Sequence, residues 1–373
     1  MKHFELTDKT MVFLGRTVYR IRALIDIPSQ NVKKGDIGGY VESLDNLHHS
    51  SWVFDYGIVC DNAKLYENSS VAGTAKVYGR AEMHENAKVY ENAIVFDSVI
   101  VSGDVKIYGN STVCGNARLY DKVEVYDRAS ISGNCIMENR AKAYNCATIK
   151  GYATINDYVE VFGHAYISGA AELQDLVRVY DNVTVTNNIT LSGDSNISGD
   201  TTLNSNFTIK DGFITSDNDI CWFANFGSSN RTTAFFYGID EKIIVTCGCF
   251  YGTLDEFEAK VIKTHGDTKY AKEYLTMIKL VEIKFEITPP TSLLEKTEPF
   301  PLEYLEDKFY NRPIKDALNI NWEQRRYEIA KDILSSYNMN TELVHTDIDK
   351  ITQFSMKQAD NLIKELMNAK PIT

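Results

Sequence analysis

The chain lacks long apolar segments. No stretch of about 18 residues, the length that crosses a membrane as a helix, is apolar throughout and free of charge. Its first residues, MKHFE, also lack the basic region followed by an apolar region that marks a secretory signal peptide. The 7 cysteines are odd in number and follow no framework spacing, which favours reduced thiols over disulfides. These absences predict a cytoplasmic protein without a membrane segment.

Clustered positive charge is also missing. The 39 Lys and Arg residues are outnumbered by 51 Asp and Glu residues, and the formal net charge is -12. No basic patch or polyacidic tail interrupts the distribution of charge. Sequence-independent binding of nucleic acid depends on clustered Lys and Arg that neutralise phosphates. The composition therefore argues against a nucleic-acid partner.

A repeat of six residues fills the region 47–208. From Leu47 to Leu203, every sixth residue is aliphatic, Met or Ala, and this residue is the first position of each hexad. Most fifth positions hold Ala or Val, and the third and fourth often hold turn formers such as Gly109-Asn110. The fifth position lies two residues before the next first position, so both side chains point to the same side of a strand. Each hexad therefore predicts a short strand with a small and a large inward side chain, followed by a corner.

Three such hexads close one turn of a triangular, parallel β-helix. The uninterrupted repeat predicts about nine turns, stacked at about 4.8 Å per turn. A helical interpretation fails because a period of about 3.6 residues cannot maintain a strict period of six. Frequent β-branched residues and turn formers also oppose helices. The fold is predicted to be mainly β, with a cap before the solenoid and smaller modules after it.

The hexads resemble those of the hexapeptide-repeat superfamily, which folds as a left-handed parallel β-helix. The family's second position is usually small, whereas this chain often has Tyr or Phe there. With the segment VKKGDIGGYVESLDNL at residues 32–47, this form resembles uncharacterised hexapeptide-repeat proteins of phages and prophages. Those proteins often carry stretches similar to CGCFYGTLDEFE at residues 247–258 and THGDTKYAKEY at residues 264–274. The resemblance implies a phage protein in the cytoplasm of a bacterial host, and a homotrimer.

The pattern outside the hexads predicts further segments. The divisions are an N-terminal cap at residues 1–46, the β-helix at 47–212, a small α/β module at 213–288, a linker at 289–318 and a C-terminal helical hairpin at 319–373. A cap is expected because the ends of a solenoid expose unpaired strand edges. In the module, strands are predicted near residues 220–225, 232–237 and 242–247. Helices are predicted after the capping box at Thr253 and after Asp267.

An enzymatic alternative comes from the best-known members of the superfamily, which are trimeric acyltransferases. They bind acyl-CoA in a groove between neighbouring prisms and use a His as the general base. The candidate catalytic residues are therefore His164, at a predicted corner, and then His84, at an outward second position, with acetyl-CoA as the cofactor. No turn carries the inserted loop that usually closes such a groove. A non-catalytic scaffold would need no cofactor.

Sorting the hexads into three faces stacks residues that lie 18 apart, and one face then collects aromatic side chains. This column consists of Phe54, Tyr90, Tyr108, Tyr126, Tyr144, Phe162 and Tyr180, with Ala72 after the first. Two residues before these positions run Lys88, Lys106, Glu124, Lys142, Glu160 and Arg178, whose sign alternates from the second onward. The other two faces show no comparable column.

Two interpretations of this face are favoured over a third, a platform on which carbohydrates or nucleotides stack, because the Glu residues of the charged column would repel phosphates. Stacked rings and opposite charges on adjacent strands each contribute about 0.2–1 kcal/mol, so the columns can serve as a stabilising ladder. Alternatively, the face contacts a partner or further copies of the chain, because aromatic side chains anchor interfaces.

Cys247, Cys249 and His265, with Cys221, are candidates for a zinc site, because thiolates and imidazoles are the usual ligands of zinc. Their spacing matches no structural zinc pattern, and cysteines two apart on a strand are commonly packing residues. We therefore expect no metal.

These features favour a non-catalytic, phage-type interaction scaffold. Its rigid prism would bind a host protein or sequester a small ligand, as an inhibitor of a host defence. The first alternative is an acetyl-CoA-dependent acyltransferase. The second is a structural β-helix that assembles with itself. Modules joined by a Pro-containing linker favour docking over a single catalytic pocket.

Overall fold

Three parallel sheets form a solenoid in the computed structural model, which describes residues 2–287. The strands of the first sheet, the aromatic face, are Trp52–Val53, Ser70–Val71, Lys88–Val89, Lys106–Ile107, Glu124–Val125, Lys142–Ala143, Glu160–Val161, Arg178–Val179, Asn196–Ile197 and Phe213–Ile214. The strands of the second face are Ile37–Val41, Ile58–Val59, Lys76–Val77, Ile94–Val95, Thr112–Val113, Ser130–Ile131, Thr148–Ile149, Tyr166–Ile167, Thr184–Val185 and Thr202–Leu203. The strands of the third face are Lys64–Leu65, Glu82–Met83, Ile100–Val101, Arg118–Leu119, Ile136–Met137, Thr154–Ile155, Glu172–Leu173, Thr190–Ser192 and Thr208–Lys210.

The register of these sheets follows the hexads. Each strand pairs in parallel with the one 18 residues later, so that Lys106 lies beside Glu124 and Ile107 beside Val125. First positions such as Ile107 and fifth positions such as Ala129 are fully buried. The inward pairing of one large and one small side chain therefore fills the core of every turn. The predicted parallel β-helix is confirmed.

The corners depend on residues that adopt positive φ. Gly109, Asp127 and Asn145 occupy equivalent corners on successive turns, with φ of 71°, 55° and 54°. The carboxylate of Asp127 accepts a hydrogen bond from the backbone N–H of Asn145 at 3.1 Å, and Glu91 accepts one from the N–H of Gly109 at 3.0 Å. Because the left-handed region favours Gly, Asn and Asp, these residues both turn the chain and tie one turn to the next.

The solenoid extends beyond the repeat read from the sequence, to about ten turns. At its beginning Ile37–Val41, within the stretch assigned to the cap, pairs in parallel with Ile58–Val59. At its end Thr208–Lys210 and Phe213–Ile214 pair in parallel with the preceding turn. The prediction of about nine turns was therefore short by about one.

A β-hairpin precedes the solenoid. Its strands Phe4–Phe13 and Arg16–Ala23 are antiparallel, and the second also pairs antiparallel with Ile37–Val41. The edge of the Phe13 ring packs on Tyr78, with the centroids 5.7 Å apart. Short 3-10 helices follow at Pro28–Gln30 and Leu44–Asn46. The hairpin thus covers the starting edge of the second face, as expected of a cap.

A four-stranded antiparallel sheet and two helices follow the solenoid. Its strands, in sheet order, are Ile220–Phe226, Arg231–Tyr237, Ile243–Cys247 and Phe250–Thr253. Helix α1 spans Leu254–His265 and helix α2 spans Lys269–Lys284. The predicted capping box is confirmed, because the Thr253 hydroxyl accepts from the N–H of Glu256 while the Glu256 side chain accepts from the N–H of Thr253. Helix α2 begins two residues after Asp267, and the fourth strand was not anticipated.

The sheet of this module is joined to the last turns of the solenoid. The Thr246 hydroxyl donates to the carbonyl of Thr208 at 2.8 Å, and Gly212 forms an isolated β-bridge with Gly238. Residues 2–220 and 224–275 accordingly form one compact unit. Residues 221–223 group with the described chain from residue 276 onward in a second unit.

The predicted linker at residues 289–318 and helical hairpin at residues 319–373 lie outside the described residues. Within residues 2–287, no helix is long and apolar enough to span a membrane.

Candidate functional site

The aromatic column forms one continuous stack of six rings. The rings are Tyr90, Tyr108, Tyr126, Tyr144, Phe162 and Tyr180. Neighbouring centroids lie between 4.8 and 5.0 Å apart, and the interplanar angles do not exceed 7°. This spacing is that of the strands themselves, because each ring follows a first-position residue on strands paired in exact phase, as Tyr108 follows the buried Ile107.

Each ring of the stack is half-buried. The faces of a ring are covered by its neighbours, while its outer edge remains at the surface. Burial raises the pKa of the phenols of Tyr90, Tyr108, Tyr126 and Tyr144, with smaller contributions from nearby carboxylates such as Glu124. The phenols therefore stay protonated at neutral pH, and each O–H can donate a hydrogen bond outward.

A column of charged side chains runs beside the rings. Lys106 pairs with Glu124 at 2.8 Å, and Glu160 accepts contacts from both Lys142 at 3.4 Å and Arg178 at 3.7 Å. The hydrogen bond to Glu124 and its negative charge raise the pKa of Lys106. These pairs are largely solvent-exposed, so each adds at most about 1 kcal/mol to stability. Lys88, at the start of the column, lies beside Lys106 and has no carboxylate partner within residues 2–287.

Phe54 stands apart from the other predicted members. Two turns separate it from Tyr90, because Ala72 occupies the intervening position. Six of the seven predicted side chains are therefore brought together. Phe54 contributes an isolated half-buried ring at the start of the same face.

The other faces, for which no comparable column was predicted, carry short stacks of rings. On the third face, the ring of Tyr66 lies between His48 and His84, with centroids 4.8 and 4.7 Å away. On the second face Tyr78 stacks on Phe96 at 5.2 Å. Neither stack exceeds three rings, whereas the aromatic face carries six. The aromatic face therefore differs from the other two faces in the length of its ring stack.

The two candidate catalytic histidines lie far apart on the surface. His164 is exposed at a corner beside Phe162, and no side chain within residues 2–287 orients its imidazole. His84 is held in the short stack, with its two ring nitrogens 3.8 Å from Glu67 and 3.5 Å from Glu82. A general base needs a partner that fixes its tautomer and a site for the acceptor nearby. His84 thus has carboxylates beside its imidazole, whereas His164 has no such partner within residues 2–287.

The zinc candidates are engaged in other contacts. The Thr233 hydroxyl donates to Sγ of Cys247 at 3.2 Å, and His265 stacks on Tyr274 at 5.6 Å. Cys249 is exposed, while burial raises the pKa of Cys221 to about 12. In the part of the chain that the structure describes, no three His, Cys, Asp or Glu side chains form a group that could hold a metal ion.

A polar cleft of about 460 Å³ lies between the last turns and the module. Its wall consists of Asn188, Thr190, Asn206, Phe207, Thr208, Asn225, Asn230, Arg231, Thr232, Thr246 and Gly248. Arg231 is the only charged residue of this wall. The cleft could not be predicted from the sequence because its residues come from separate stretches that the fold brings together.

Comparison with known protein families finds none that matches this chain, and no curated protein matches it. The function must therefore be inferred from the chain's own geometry.

Proposed function

We propose that the protein is a non-catalytic interaction scaffold that uses the aromatic face as its contact surface. The observation that carries this proposal is the six-ring stack, which presents a straight row of ring edges on one side of the solenoid. Aromatic side chains supply large contact areas with little loss of side-chain entropy. Such a row suits the centre of a protein interface.

The rigidity of the solenoid supports this role. Backbone pairing repeats every 18 residues, and the corner carboxylates, such as that of Asp127, bond to the next turn. A surface fixed in this way loses little conformational freedom when it binds. The outer edges of the rings are also accessible without any rearrangement of the backbone.

The charged column supports specificity rather than affinity. Lys106, Glu124, Lys142 and Glu160 alternate in sign at intervals of one strand. Charges at the edge of an interface contribute modestly to affinity but select partners and fix their register. A partner would therefore need a matching alternation.

The biological setting that we propose rests on the resemblance to phage hexapeptide-repeat proteins. It places the protein in the cytoplasm of a bacterial host, where it would bind a host protein or sequester a small ligand and so inhibit a defence.

The alternatives receive less support. An acetyl-CoA-dependent acyltransferase would need an oriented base, and the imidazole of His164 has no such support from its own prism. End-to-end assembly into a polymer would need open strand edges. The hairpin strand Arg16–Ala23 pairs with the starting edge of the second face, and the bond from Thr246 to Thr208 joins the module to the other end of the solenoid.

A pull-down from bacterial lysate with the full chain tests the proposal. We expect the wild-type chain to retain a partner that the double variant Tyr108→Ser, Tyr126→Ser loses. Tyr152→Ser is the matched control, because Tyr152 is a tyrosine outside the aromatic face with 68% of its surface exposed. If the double variant keeps the same partners and the same oligomeric mass, and only its stability falls, the face is a structural ladder and the proposal is wrong.

A further inference from the structure

The stack of six rings lies symmetrically about the centre of the aromatic face. The ten strands of this face place that centre between Glu124–Val125 and Lys142–Ala143, with five strands on each side. The six rings are divided equally by it, three on each side. Small residues, Ala72 and Ser198, occupy the next position of the column at either end. A half-turn about an axis that passes through this centre and runs along the strands therefore places ring over ring and small residue over small residue.

The charges beside the rings change sign under the same rotation. Glu124 is exchanged with Lys142, and Lys106 is exchanged with Glu160. Both exchanges join opposite charges. The third exchange, between Lys88 and Arg178, joins like charges and lies at the ends of the stack. A surface whose charges are inverted by a two-fold rotation is complementary to itself.

We propose that the occupant of the aromatic face is a second copy of the same chain, related by a two-fold axis through this centre, with the two solenoids antiparallel. This proposal rests on the proposed function, in that it takes the aromatic face to be a contact surface, and it makes a second copy, instead of a host protein, the molecule that this face binds. In the dimer Glu124 of each copy faces Lys142 of the other, and Lys106 faces Glu160. The protonated phenols meet along the middle of the interface.

The neighbouring corner column does not oppose this arrangement strongly. Glu91 and Asp181 are exchanged by the rotation and are both acidic. Their carboxylates, however, accept hydrogen bonds from the N–H groups of Gly109 and Gly199 within their own chain, at 3.0 and 3.1 Å. They are thereby held along the corner, at the edge of the face.

The size of the face suits a stable pair. Ten turns at about 4.8 Å give a length of roughly 48 Å, and one six-residue side spans at most about 20 Å. The area is then at most on the order of 1,000 Å², which is close to the roughly 800 Å² that each partner buries in a standard interface.

A parallel three-fold trimer uses different contacts. In that arrangement each residue meets the same turn of its neighbour, so that Glu124 would not face Lys142 of another copy. The inversion of charge about the centre would then bring no opposite charges together between copies. Only the two-fold dimer pairs them.

Charge reversal of the full chain distinguishes the interface from an intrachain ladder. Lys142→Glu places two like charges across the centre of the dimer, and Glu124→Lys does the same with the opposite sign. By sedimentation at low salt, we expect either single variant to dissociate at least about tenfold more readily than the wild-type dimer. A 1:1 mixture of the two variants should form the heterodimer, because each copy then meets its opposite charge across the axis.

The double variant Glu124→Lys, Lys142→Glu separates the role of these charges in the dimer interface from their role in the stability of one chain. Within one chain it gains two like-charged neighbour pairs, because the lysine introduced at position 124 lies beside Lys106 and the glutamate introduced at position 142 lies beside Glu160. Either single variant gains the same number of such pairs. The mirror pairs of the double variant across the dimer axis are again opposite. We expect dimer affinity to recover to near that of the wild-type chain, while the stability of the monomer does not recover.

Each other outcome overturns the inference. A monomeric or trimeric wild-type chain, or a mixture that forms no heterodimer, contradicts the two-fold pairing. If the chain is monomeric and Tyr108→Ser, Tyr126→Ser still loses a captured partner, the inference fails and the proposed function stands. If those substitutions change stability alone, both fail.

Discussion

The ring of Tyr126 lies parallel to that of Tyr144, with the centroids 4.9 Å apart and an interplanar angle of 0°. Their separation matches the distance between neighbouring strands, so the fold imposes it without adjustment of either side chain. Each ring also shields a face of the next from water. The same contact therefore stabilises the solenoid and shapes the surface that we propose as an interface.

Replacement of Tyr126 should reveal the contribution of the stack to stability. Tyr126 contacts Tyr108 on one side and Tyr144 on the other, and each aromatic pair adds about 0.5–1.5 kcal/mol. We expect Tyr126→Ser to lower the free energy of unfolding in urea by about 1–3 kcal/mol. Tyr152→Ser, which removes an exposed ring elsewhere, should cost much less. Equal losses in the two variants would show that the stack does not stabilise the fold.

A corner glycine offers a second test of the solenoid. At Gly109 a Cβ would lie 2.6 Å from the backbone nitrogen of Asp127 on the next turn, so Gly109→Ala must push two turns apart. Gly15 has a similar φ, 76° against 71°, but open space around its Cβ position. We expect Gly109→Ala to cost about 1–3 kcal/mol more than Gly15→Ala in urea unfolding. A similar loss at both positions would mean that only backbone strain matters.

The repeat made the solenoid predictable because one short pattern specifies every turn. A first-position residue such as Ile107 needs no information from distant parts of the chain to be placed inward, since its neighbours are copies of the same hexad. The two ends of the solenoid were harder to predict from the sequence. Val41 precedes Leu47 by one period, but its hexad contains the 3-10 helix Leu44–Asn46 in place of the usual corner. Ile214 follows Ile209 by five residues instead of six, so the period breaks there.

The aromatic column was predictable for the same reason, since residues 18 apart must stack when the register never slips. What the sequence could not show was how far each stack would run. The single Ala72 separates Phe54 from the other rings, while His48 and His84 stack on the two sides of Tyr66 on another face. The cleft around Arg231 depends on how the module meets the last turns, and no local pattern encodes that contact.

Incubation of the full chain with acetyl-CoA and amine acceptors tests the enzymatic alternative. Because no side chain within residues 2–287 orients the imidazole of His164, we expect no more acetylated product than from His164→Ala, as read by intact mass of the acceptors. His84→Ala serves as the second comparison. Turnover that disappears in His164→Ala would replace the scaffold hypothesis with a catalytic one.

The buried thiols should react slowly and affect stability at high pH. Burial, aided by the nearby carboxylates of Asp61 and Glu42, raises the pKa of Cys60 to about 12 from an ordinary value of 9.0. Burial alone raises that of Cys135 to about 11. The folded state therefore favours the neutral thiols. Their contribution to stability is constant below pH 9 and is lost as the pH rises from about 9 towards 12, where the unfolded chain would ionise first.

Alkylation of the native chain with iodoacetamide at about pH 8 measures this protection, since the thiolate is the reacting species. Cys249 is exposed, whereas Cys60 and Cys135 have no exposed surface. Peptide mapping should therefore find Cys249 modified first, and Cys60 and Cys135 modified only on the timescale of unfolding. In urea all three should react at similar rates, which controls for local sequence. Native modification of Cys60 as fast as that of Cys249 would mean that the early turns, where Cys60 packs beneath the hairpin with Val18 and Ile58, open far more often than a sealed solenoid allows.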